Sequence, residues 1–443
     1  MWQKLFRPID IAPLIFFRVF AGGLITIEKT GELFTNYHRD FVIGDFHFSY
    51  FFFQWLEPWP PMGVYIHMGF NVLIALCVTL GLYYRWTTIL MFLSTSSMFL
   101  MEKAVYINHT YLYSLFAFLL IFMPANRAWS LDVKRNPSIA TGQTPAWTVY
   151  LILFQMSVVY FFAGIAKVNP DWFQAQPMTI WLSSKKHFYI IGPILTSAIW
   201  PYVVSYGGVL FDLFIVPALL WKRTRLYAFI ISCCFHLINV CTFGIGTFPW
   251  LSAVVTALFF APESFRKLKF LDRNIPKFQP STAPVVGKPW VKVFIVTYVA
   301  IQLLVPMRQW IYPGNTSWTE YGHNFSWHMM LRSKRGSTMF TVKDPDSGKE
   351  WKEDPFKRLT RKQSFRMVGK PDMILEYAHY LAELYREKGH PNVEVYVDAR
   401  VKLNARKKQR MIDPTVDLAK ESWSLLPYSW VIPLEDGDIV YKN

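Results

Sequence analysis

Nine runs of apolar residues dominate the first three hundred positions of the chain. They lie at about 11–28, 61–83, 86–102, 110–124, 147–166, 202–221, 225–242, 245–261 and 289–306. A membrane-spanning helix needs roughly 20 mostly apolar residues, and most of these runs approach that length, although the third and fourth are shorter. The pattern predicts an all-α polytopic membrane domain over residues 1–306, with about nine transmembrane helices.

The pattern changes after position 306, where charged residues become frequent and no run is long enough to span a membrane. The turn residues 344–348 (DPDSG) separate two short stretches and predict a β-hairpin. Residues 371–390 carry apolar side chains at helical spacing and reach Gly389, which is typical of an amphipathic helix. Alternation over 392–403 predicts a strand. We therefore expect residues 307–443 to form a small α+β domain.

Lysine and arginine are unevenly distributed among the loops between the apolar runs. If the N-terminus is cytoplasmic, the cytoplasmic loops include the basic stretches at 222–225 and 266–292, and the opposite loops contain few basic residues. Short loops rich in Lys and Arg stay in the cytoplasm. After nine spans, the C-terminal domain is then extracytoplasmic, on the outer side of a bacterial inner membrane or in the lumen of the endoplasmic reticulum.

The composition agrees with a membrane protein and not with a nucleic-acid-binding one. Hydrophobic residues make up 53% of the chain and charged residues 17%, whereas a soluble domain carries about 25% charged residues. The net charge of +16 lies in short loops, and no basic helix with interleaved aromatic residues is present, so a lipid bilayer is the expected partner and nucleic acid is not. The four cysteines show no CxxC spacing, so we expect neither a disulfide framework nor a metal site.

Two ionisable residues lie near the middle of apolar runs. Arg18 is in the first run and Asp212 is in the sixth, which is predicted to cross in the opposite direction. Charges inside a bilayer are costly and are usually paired or functional. The simpler interpretation is a buried structural ion pair between Arg18 and Asp212, and we favour it over a catalytic role.

Three further residues fall on the side of the C-terminal domain in this topology. His109 begins the fourth run, Lys167 ends the fifth, and His236 lies in the last third of the seventh. A lysine at a helix end often reaches the interface simply to contact water, and buried histidines are often only hydrogen-bonded core residues. Because all three lie at similar depth, a shared pocket is the alternative that we carry forward.

Five stretches are informative as motifs. They are 108–123 (NHTYLYSLFAFLLIFM), 159–172 (VYFFAGIAKVNPDW), 235–239 (FHLIN), 318–334 (WTEYGHNFSWHMMLRSK) and 395–418 (VYVDARVKLNARKKQRMIDPTVDL). In this order they resemble the vitamin K-dependent gamma-glutamyl carboxylase family over nearly the whole chain. The resemblance is closest to bacterial-type members, in which a horizontally transferred transmembrane domain precedes a lumenal-type domain.

This resemblance implies a coupled reaction, in which O2 oxidises vitamin K hydroquinone to its epoxide while CO2 carboxylates a peptide glutamate to γ-carboxyglutamate. Lys167 matches the family's active-site lysine and would be the base, although Ala166 replaces a second lysine. Such a base must be an uncharged amine, a form that desolvation in an apolar pocket favours. Asn108 and His109 match a catalytic Asn–His pair that would stabilise developing negative charge, and His236 would support the pocket.

The resemblance also implies a binding site for the glutamate-containing peptide. Trp327, Arg332 and Lys334 fall in the corresponding segment, and a cationic pair suits a carboxylate. An ordinary solvated face is the open alternative for these residues. His323 and His328 depart from the family, because vertebrate-like members carry a tyrosine near the first position and an aspartate at the second.

Three other functions are compatible with parts of the pattern. The main alternative is a quinone-reactive membrane redox protein that forms epoxide without carboxylating protein; animal carboxylases continue well beyond the matched region, so propeptide-directed carboxylation is not implied. The second is a haem protein with His109 and His236 as axial ligands. The third is a transporter, which the absence of paired interrupted helices disfavours.

Overall fold

The apolar runs of the sequence form helices that pack side by side. The computed structural model describes residues 2–189, 191–279 and 287–435. Within these ranges, the helices that correspond to the nine runs are α1 (Ala12–Phe34), α2 (Pro61–Leu80), α3 (Tyr84–Leu100), α4 (Asn108–Phe122), α5 (Ala146–Ala166), α6 (Trp200–Leu220), α7 (Arg225–Phe243), α8 (Phe248–Ala257) and α9 (Pro289–Met307). Short helices lie in the connections at Trp2–Phe6, Arg39–Val42, Leu131–Arg135, Pro170–Phe173, Met178–Ser183, Gly192–Leu195, Pro262–Arg266 and Lys269–Asn274.

Five of the described helices are long and apolar enough to cross a membrane, namely α2, α5, α6, α7 and α9 together with the turn that follows it. Helices α4 and α8 are apolar but shorter, with 15 and 10 residues. The described part of the chain therefore supports five candidate membrane spans, and the prediction of about nine is not confirmed.

The local sequence explains where several of these helices begin and end. Proline occupies the first turn of α1, α2, α6, α8 and α9, where its missing N–H costs no hydrogen bond. Helices α2 and α7 end at Gly81 and Gly244, whose φ angles of 64° and 62° suit glycine. The outer faces remain apolar, as Leu73, Leu210 and Leu237 are more than half exposed. Such a surface suits lipid rather than water.

Arg18 does not pair with Asp212, so the predicted ion pair is wrong. The guanidinium of Arg18 is fully buried and donates to the carbonyl oxygens of Ala125 (2.8 Å), Ala128 (3.3 Å) and Trp129, in the turn after α4. Asp212 contacts Lys167 instead. The physical reason is that Arg18 and Asp212 lie at different depths in the helical bundle.

The strands β1 (Pro8–Asp10) and β2 (Gln143–Pro145) pair directly before α1 and α5, so both helices start at the same end. Arg18 lies within two turns of that end, whereas Lys167 follows α5 at the other end, roughly 30 Å away at 1.5 Å per residue. The sequence placed both charges near the middle of their runs, but it did not reveal this offset.

The C-terminal region is the small α+β unit that the sequence predicted. Its four-stranded antiparallel sheet has the order β4–β3–β5–β6, formed by β3 (Lys334–Asp344), β4 (Lys349–Glu353), β5 (Glu394–Leu403) and β6 (Gln409–Arg410). The helices α10 (Arg361–Met367) and α11 (Pro371–Glu387) complete it, and a short helix at Thr316–Thr319 precedes the sheet. The predicted hairpin, amphipathic helix and strand are thus confirmed.

This unit rests on the end of the helical bundle where Lys167 lies. Asp171, four residues after Lys167, receives hydrogen bonds from Asn404 and Arg406 at the end of β5. Elsewhere, Glu376 of α11 accepts hydrogen bonds from the backbone and side chain of Ser49. The two parts of the chain therefore meet through buried polar contacts.

Replacing Arg18 by leucine should destabilise the bundle, because three carbonyl groups lose a charged donor. We expect the free energy of unfolding to fall by roughly 3 kcal/mol, the range for a few lost charge-assisted hydrogen bonds. Thermal unfolding in lipid nanodiscs measures the effect, with the exposed Arg85→Leu as the matched control. An Arg18→Leu protein as stable as that control would contradict the assigned contacts.

Candidate active site

One cavity brings together four residues that the sequence singled out. Asn108 and His109 at the start of α4, Lys167 after α5, and His236 on α7 all line it, together with Asp212 of α6. Its volume is about 280 Å³. The rest of the wall is mostly apolar and includes Ile107, Trp172, Met178, Phe235, Phe243, Phe248, Met329 and Met330. The predicted residues are therefore neighbours, although their catalytic roles remain predictions.

Lys167 forms the centre of the polar part of this wall. Its Nζ donates to Asp212 Oδ2 (2.5 Å) and to the carbonyl of Ala163 (3.2 Å), and it lies 5.5 Å from the centre of the Trp172 ring. Lys167 is 7% exposed and Asp212 is 5% exposed. A buried charge needs a partner of opposite sign, so Asp212 is what allows a lysine to remain at this depth.

His236 lies in the cavity wall beside Tyr160. Its Nε2 is 2.8 Å from the hydroxyl of Tyr160, and its ring packs edge-on against Phe211 and Phe248. Among the described residues, its Nδ1 has no hydrogen-bond partner. One ring nitrogen is thus fixed by Tyr160, while the other is left without a protein partner.

Asn108 and His109 are held by groups from different parts of the chain. The Nε2 of His109 lies 3.4 Å from Glu28 Oε1, and Glu28 also accepts from the hydroxyl of Thr247 (2.7 Å). Asn108 Nδ2 donates to the main-chain carbonyl of His328 (3.0 Å). The C-terminal segment is thereby tied to the start of α4, and the next two residues, Met329 and Met330, line the cavity.

The residues predicted to hold a peptide glutamate do not line this cavity. Trp327 is fully buried and stacks on Tyr111, with ring centres 5.1 Å apart. Arg332 Nε and Lys334 Nζ both donate to Glu320 Oε1, at 2.8 and 2.7 Å. The two cations therefore already have a carboxylate partner within the chain, and they are not a solvated face either.

Burial and charge act against each other in this cluster. Burial works against the charged form of Glu320, but the adjacent cations of Arg332 and Lys334 outweigh it and hold the pKa of this carboxyl well below its usual range. Burial lowers the pKa of Lys334 to about 8, although Glu320 opposes the shift. The cluster is charged at neutral pH and depends on its central carboxylate.

His323 and His328, which depart from the family pattern, form a pair beside this cluster. Their Nδ1 atoms are 3.0 Å apart, and His328 Nε2 contacts Gln309 Oε1. Burial, followed by the charge of Arg332, lowers the pKa of His328 to about 3, and it lowers that of His323 well below the usual range. Both rings are therefore uncharged at neutral pH.

Several residues of the site were not identified from the sequence. Asp212 was noticed, but with the wrong partner; Glu28, Tyr160 and Glu320 were not considered. Glu28 and Glu320 carried a usable signal, because the first ends an apolar run and the second lies inside a family motif. Tyr160 also lies inside a family motif, at 159–172, but nothing in the sequence relates it to His236, 76 positions later.

The apolar wall and the few convergent polar groups suit a largely apolar ligand that is oriented by a small number of polar contacts. Among the described residues, no group of three or more His, Cys, Asp or Glu side chains could hold a metal ion. The protein is thus of a class in which a helical, membrane-type part and a small α+β part together line one cavity. That cavity contains a buried lysine, Lys167.

The comparisons with known families agree with this class. The sequence model of the HTTM domain matches residues 6–263, and that of the vitamin K-dependent gamma-carboxylase lumenal domain matches residues 287–437. The second match begins before α9, so this sequence model also covers that candidate membrane span. No solved structure matches the chain. The chain belongs to the vitamin K-dependent gamma-glutamyl carboxylase family.

Replacing Glu320 by glutamine should destabilise the protein, because Arg332 and Lys334 would remain buried without their carboxylate. Breaking one side of a buried ion pair costs about 3–5 kcal/mol. Without Glu320 the pKa of Lys334 falls below about 8, so this lysine loses its proton more readily in the folded state and the loss of stability shrinks as the pH rises.

Thermal unfolding at several pH values measures this effect. The exposed ion pair of Lys343 with Glu350 provides the control, and Glu350→Gln should change stability little. A Glu320→Gln protein that matches this control at every pH would show that the cluster carries no buried charge.

Proposed function

We propose that this protein is a vitamin K-dependent gamma-glutamyl carboxylase, which couples oxidation of vitamin K hydroquinone by O2 to carboxylation of a peptide glutamate by CO2. The observation that carries the proposal is the Lys167–Asp212 pair, which shares an apolar cavity with Asn108, His109 and His236. Membership of the family supports it. Vitamin K hydroquinone and the peptide are substrates in this proposal.

Lys167 is the base that accepts the first proton. To do so it must first be an uncharged amine, and Asp212 Oδ2, at 2.5 Å, is placed to take the ammonium proton. The resulting neutral pair would suit an apolar wall better than an ion pair would. This role of Asp212 adds to the sequence-based expectation, in which burial alone neutralised the lysine.

The other polar groups act on charge that develops during the reaction. Bound vitamin K hydroquinone would supply the electrons for O2 and the strong base that the γ-proton of glutamate requires. Asn108 and His109 are fixed by His328 and Glu28, so they present preoriented groups to an oxyanion or carbanion. The apolar wall excludes water, which would otherwise protonate a carbanion before CO2 reacts.

The location follows from the same proposal. The chain is a multi-pass protein of a bacterial inner membrane or of the endoplasmic reticulum, with a cytoplasmic N-terminus. The helical part, residues 1–306, holds the quinone, and the part from 307 to 443 is extracytoplasmic and receives a glutamate-containing peptide. The cavity lies at the end of the bundle that contacts the second part, which supports this arrangement.

A combined assay tests the proposal. The protein in lipid nanodiscs receives vitamin K hydroquinone, O2, labelled bicarbonate and a glutamate-rich peptide, and both vitamin K epoxide and peptide-bound label are measured. We expect both products from the wild type, a loss of at least about 100-fold in Lys167→Ala, since a positioned base contributes about 10²–10⁴-fold, and no change in the exposed Lys186→Ala.

Lys167→Ala leaves Asp212 buried without a partner, so folding needs its own control. The double variant Lys167→Met with Asp212→Leu removes both charges while filling the space. It should fold and should form neither product. If the wild type is folded and forms neither product, the proposed function is wrong. If the double variant is active, the assignment of Lys167 as the base is wrong.

The second candidate function is vitamin K epoxidation without protein carboxylation. One observation favours it: Arg332 and Lys334, the cations expected for a peptide glutamate, are bound to Glu320 and do not line the cavity. In the combined assay this function gives epoxide and no peptide label, even at high peptide concentration. Loss of the epoxide in Lys167→Ala would then still assign the base.

A further inference from the structure

The turn after β5 contacts the two segments that follow the walls of the candidate active site. Asn404 Nδ2 donates to Asp171 Oδ2 (2.6 Å), while its Oδ1 accepts from the backbone N–H of Ser333 (2.9 Å). The backbone N–H of Asn404 donates back to the Ser333 carbonyl (2.8 Å). One side chain thus joins the segment after Lys167 to the segment after Met330.

Arg406 strengthens the first of these contacts. Its two terminal nitrogens meet the two carboxylate oxygens of Asp171, at 2.5 and 2.7 Å. Asp171, Asn404 and Arg406 are all at least nine-tenths buried. A two-pronged, buried arginine–carboxylate contact fixes orientation as well as distance. This contact therefore fixes the orientation of the segment around Asp171, which contains the short helix Pro170–Phe173.

The segment around Asp171 in turn fixes the surroundings of Lys167. The side chain of Asn169 donates to the Ala166 carbonyl (2.9 Å) and accepts from the backbone N–H of Trp172 (3.0 Å). The Trp172 indole donates to the Ser205 carbonyl (2.7 Å) and forms the cavity wall below Lys167 Nζ. A displacement of Asp171 would therefore be passed to Trp172 and to the last turn of α5.

The second wall is held in the same way. Ser333 follows the stretch in which Met329 and Met330 line the cavity and His328 binds Asn108. Asn404 adopts a left-handed backbone, with φ of 52°, which asparagine and glycine tolerate better than other residues. This conformation lets its side chain contact Asp171 while its backbone and side chain contact Ser333.

We propose that Asn404, with Arg406 and Asp171, is a positioning device that sets the distance between the Lys167 wall and the Met330 wall of the cavity. The inference rests on the proposed function, because it assigns these residues to the geometry of that reaction. They do not touch the reacting atoms. Docking of the α+β unit thereby becomes a condition for a correctly shaped site.

Two variants test the device without a large change in packing. Asn404→Gly keeps a backbone suited to positive φ and removes both side-chain hydrogen bonds. Asp171→Asn keeps the shape and removes the charge that Arg406 meets. Asp398→Asn is the matched control: it is the same chemical change on β5, at a carboxylate 46% exposed and paired with Arg400 and Arg410 on the surface.

The readout is kcat and KM for vitamin K hydroquinone in the full-length protein in nanodiscs. A misplacement of about 1 Å can cost 10²-fold, so we expect kcat to fall roughly 10–100-fold in both variants, with a much smaller change in KM. The double variant should be no slower than the slower single variant, because both changes break one device. Asp398→Asn should match the wild type.

Hydrogen exchange provides a readout that does not need activity. Exchange should rise in residues 167–173 and 329–333 of both variants, while α11 stays protected. If the wild type forms no epoxide, the proposed function fails, and exchange alone decides whether the two walls are coupled through Asn404. If the wild type is active, unchanged kcat in Asn404→Gly would overturn the proposal, even where its melting temperature falls.

Discussion

A charged side chain in an apolar environment requires a partner of opposite charge, and the contact between Lys167 and Asp212 meets this requirement. It constrains the helices around it, because α5 and α6 must approach closely for the two groups to meet. Gly164 permits the approach: a Cβ at this position would lie 2.7 Å from a methyl carbon of Leu213 and 3.2 Å from Asp212 Cβ. The pair, the close helix contact and the cavity beside them are thus one arrangement.

The cavity depends on both parts of the chain. The helical part supplies Lys167, Asp212, His109 and His236, whereas residues 328–330 of the C-terminal part close one side. A reaction that needs a strong base and a carbanion requires such closure, since water would quench both. Glu320 is a further carboxylate at this boundary, and any peptide glutamate directed to Arg332 and Lys334 must compete with it.

Much of the fold could be predicted, because its signals are local. Apolar runs indicated the helices, the turn residues 344–348 indicated the hairpin, and the alternation of apolar and polar residues over 392–403 indicated β5. Each of these signals lies within one element or one turn. The number of spans was less accessible, because a run of apolar residues does not fix the length of a helix: α8 contains only 10 residues. The relative depth of Arg18 and Asp212 depends on where α1 and α5 begin, which the pairing of β1 with β2 sets.

The site was predictable where a motif carried it and not where distant segments meet. Asn108, His109, Lys167 and His236 were found from the resemblance and from their common depth. The partners Asp212, Glu28 and Tyr160 were not, because packing brings them together across more than forty positions of sequence in each case. Arg332 and Lys334 were recognised as cations, but no local pattern revealed that both would form ion pairs with Glu320.

The rate of vitamin K epoxidation in wild type, Asp212→Asn and Asp212→Glu tests the central claim most directly. If Asp212 takes the ammonium proton of Lys167, an amide at this position cannot replace it, and the rate should fall in Asp212→Asn. Asp212→Glu keeps a carboxylate and should retain more of the rate. An Asp212→Asn protein as fast as the wild type would contradict the account, because the carboxylate would then have no part in freeing the amine that accepts the first proton.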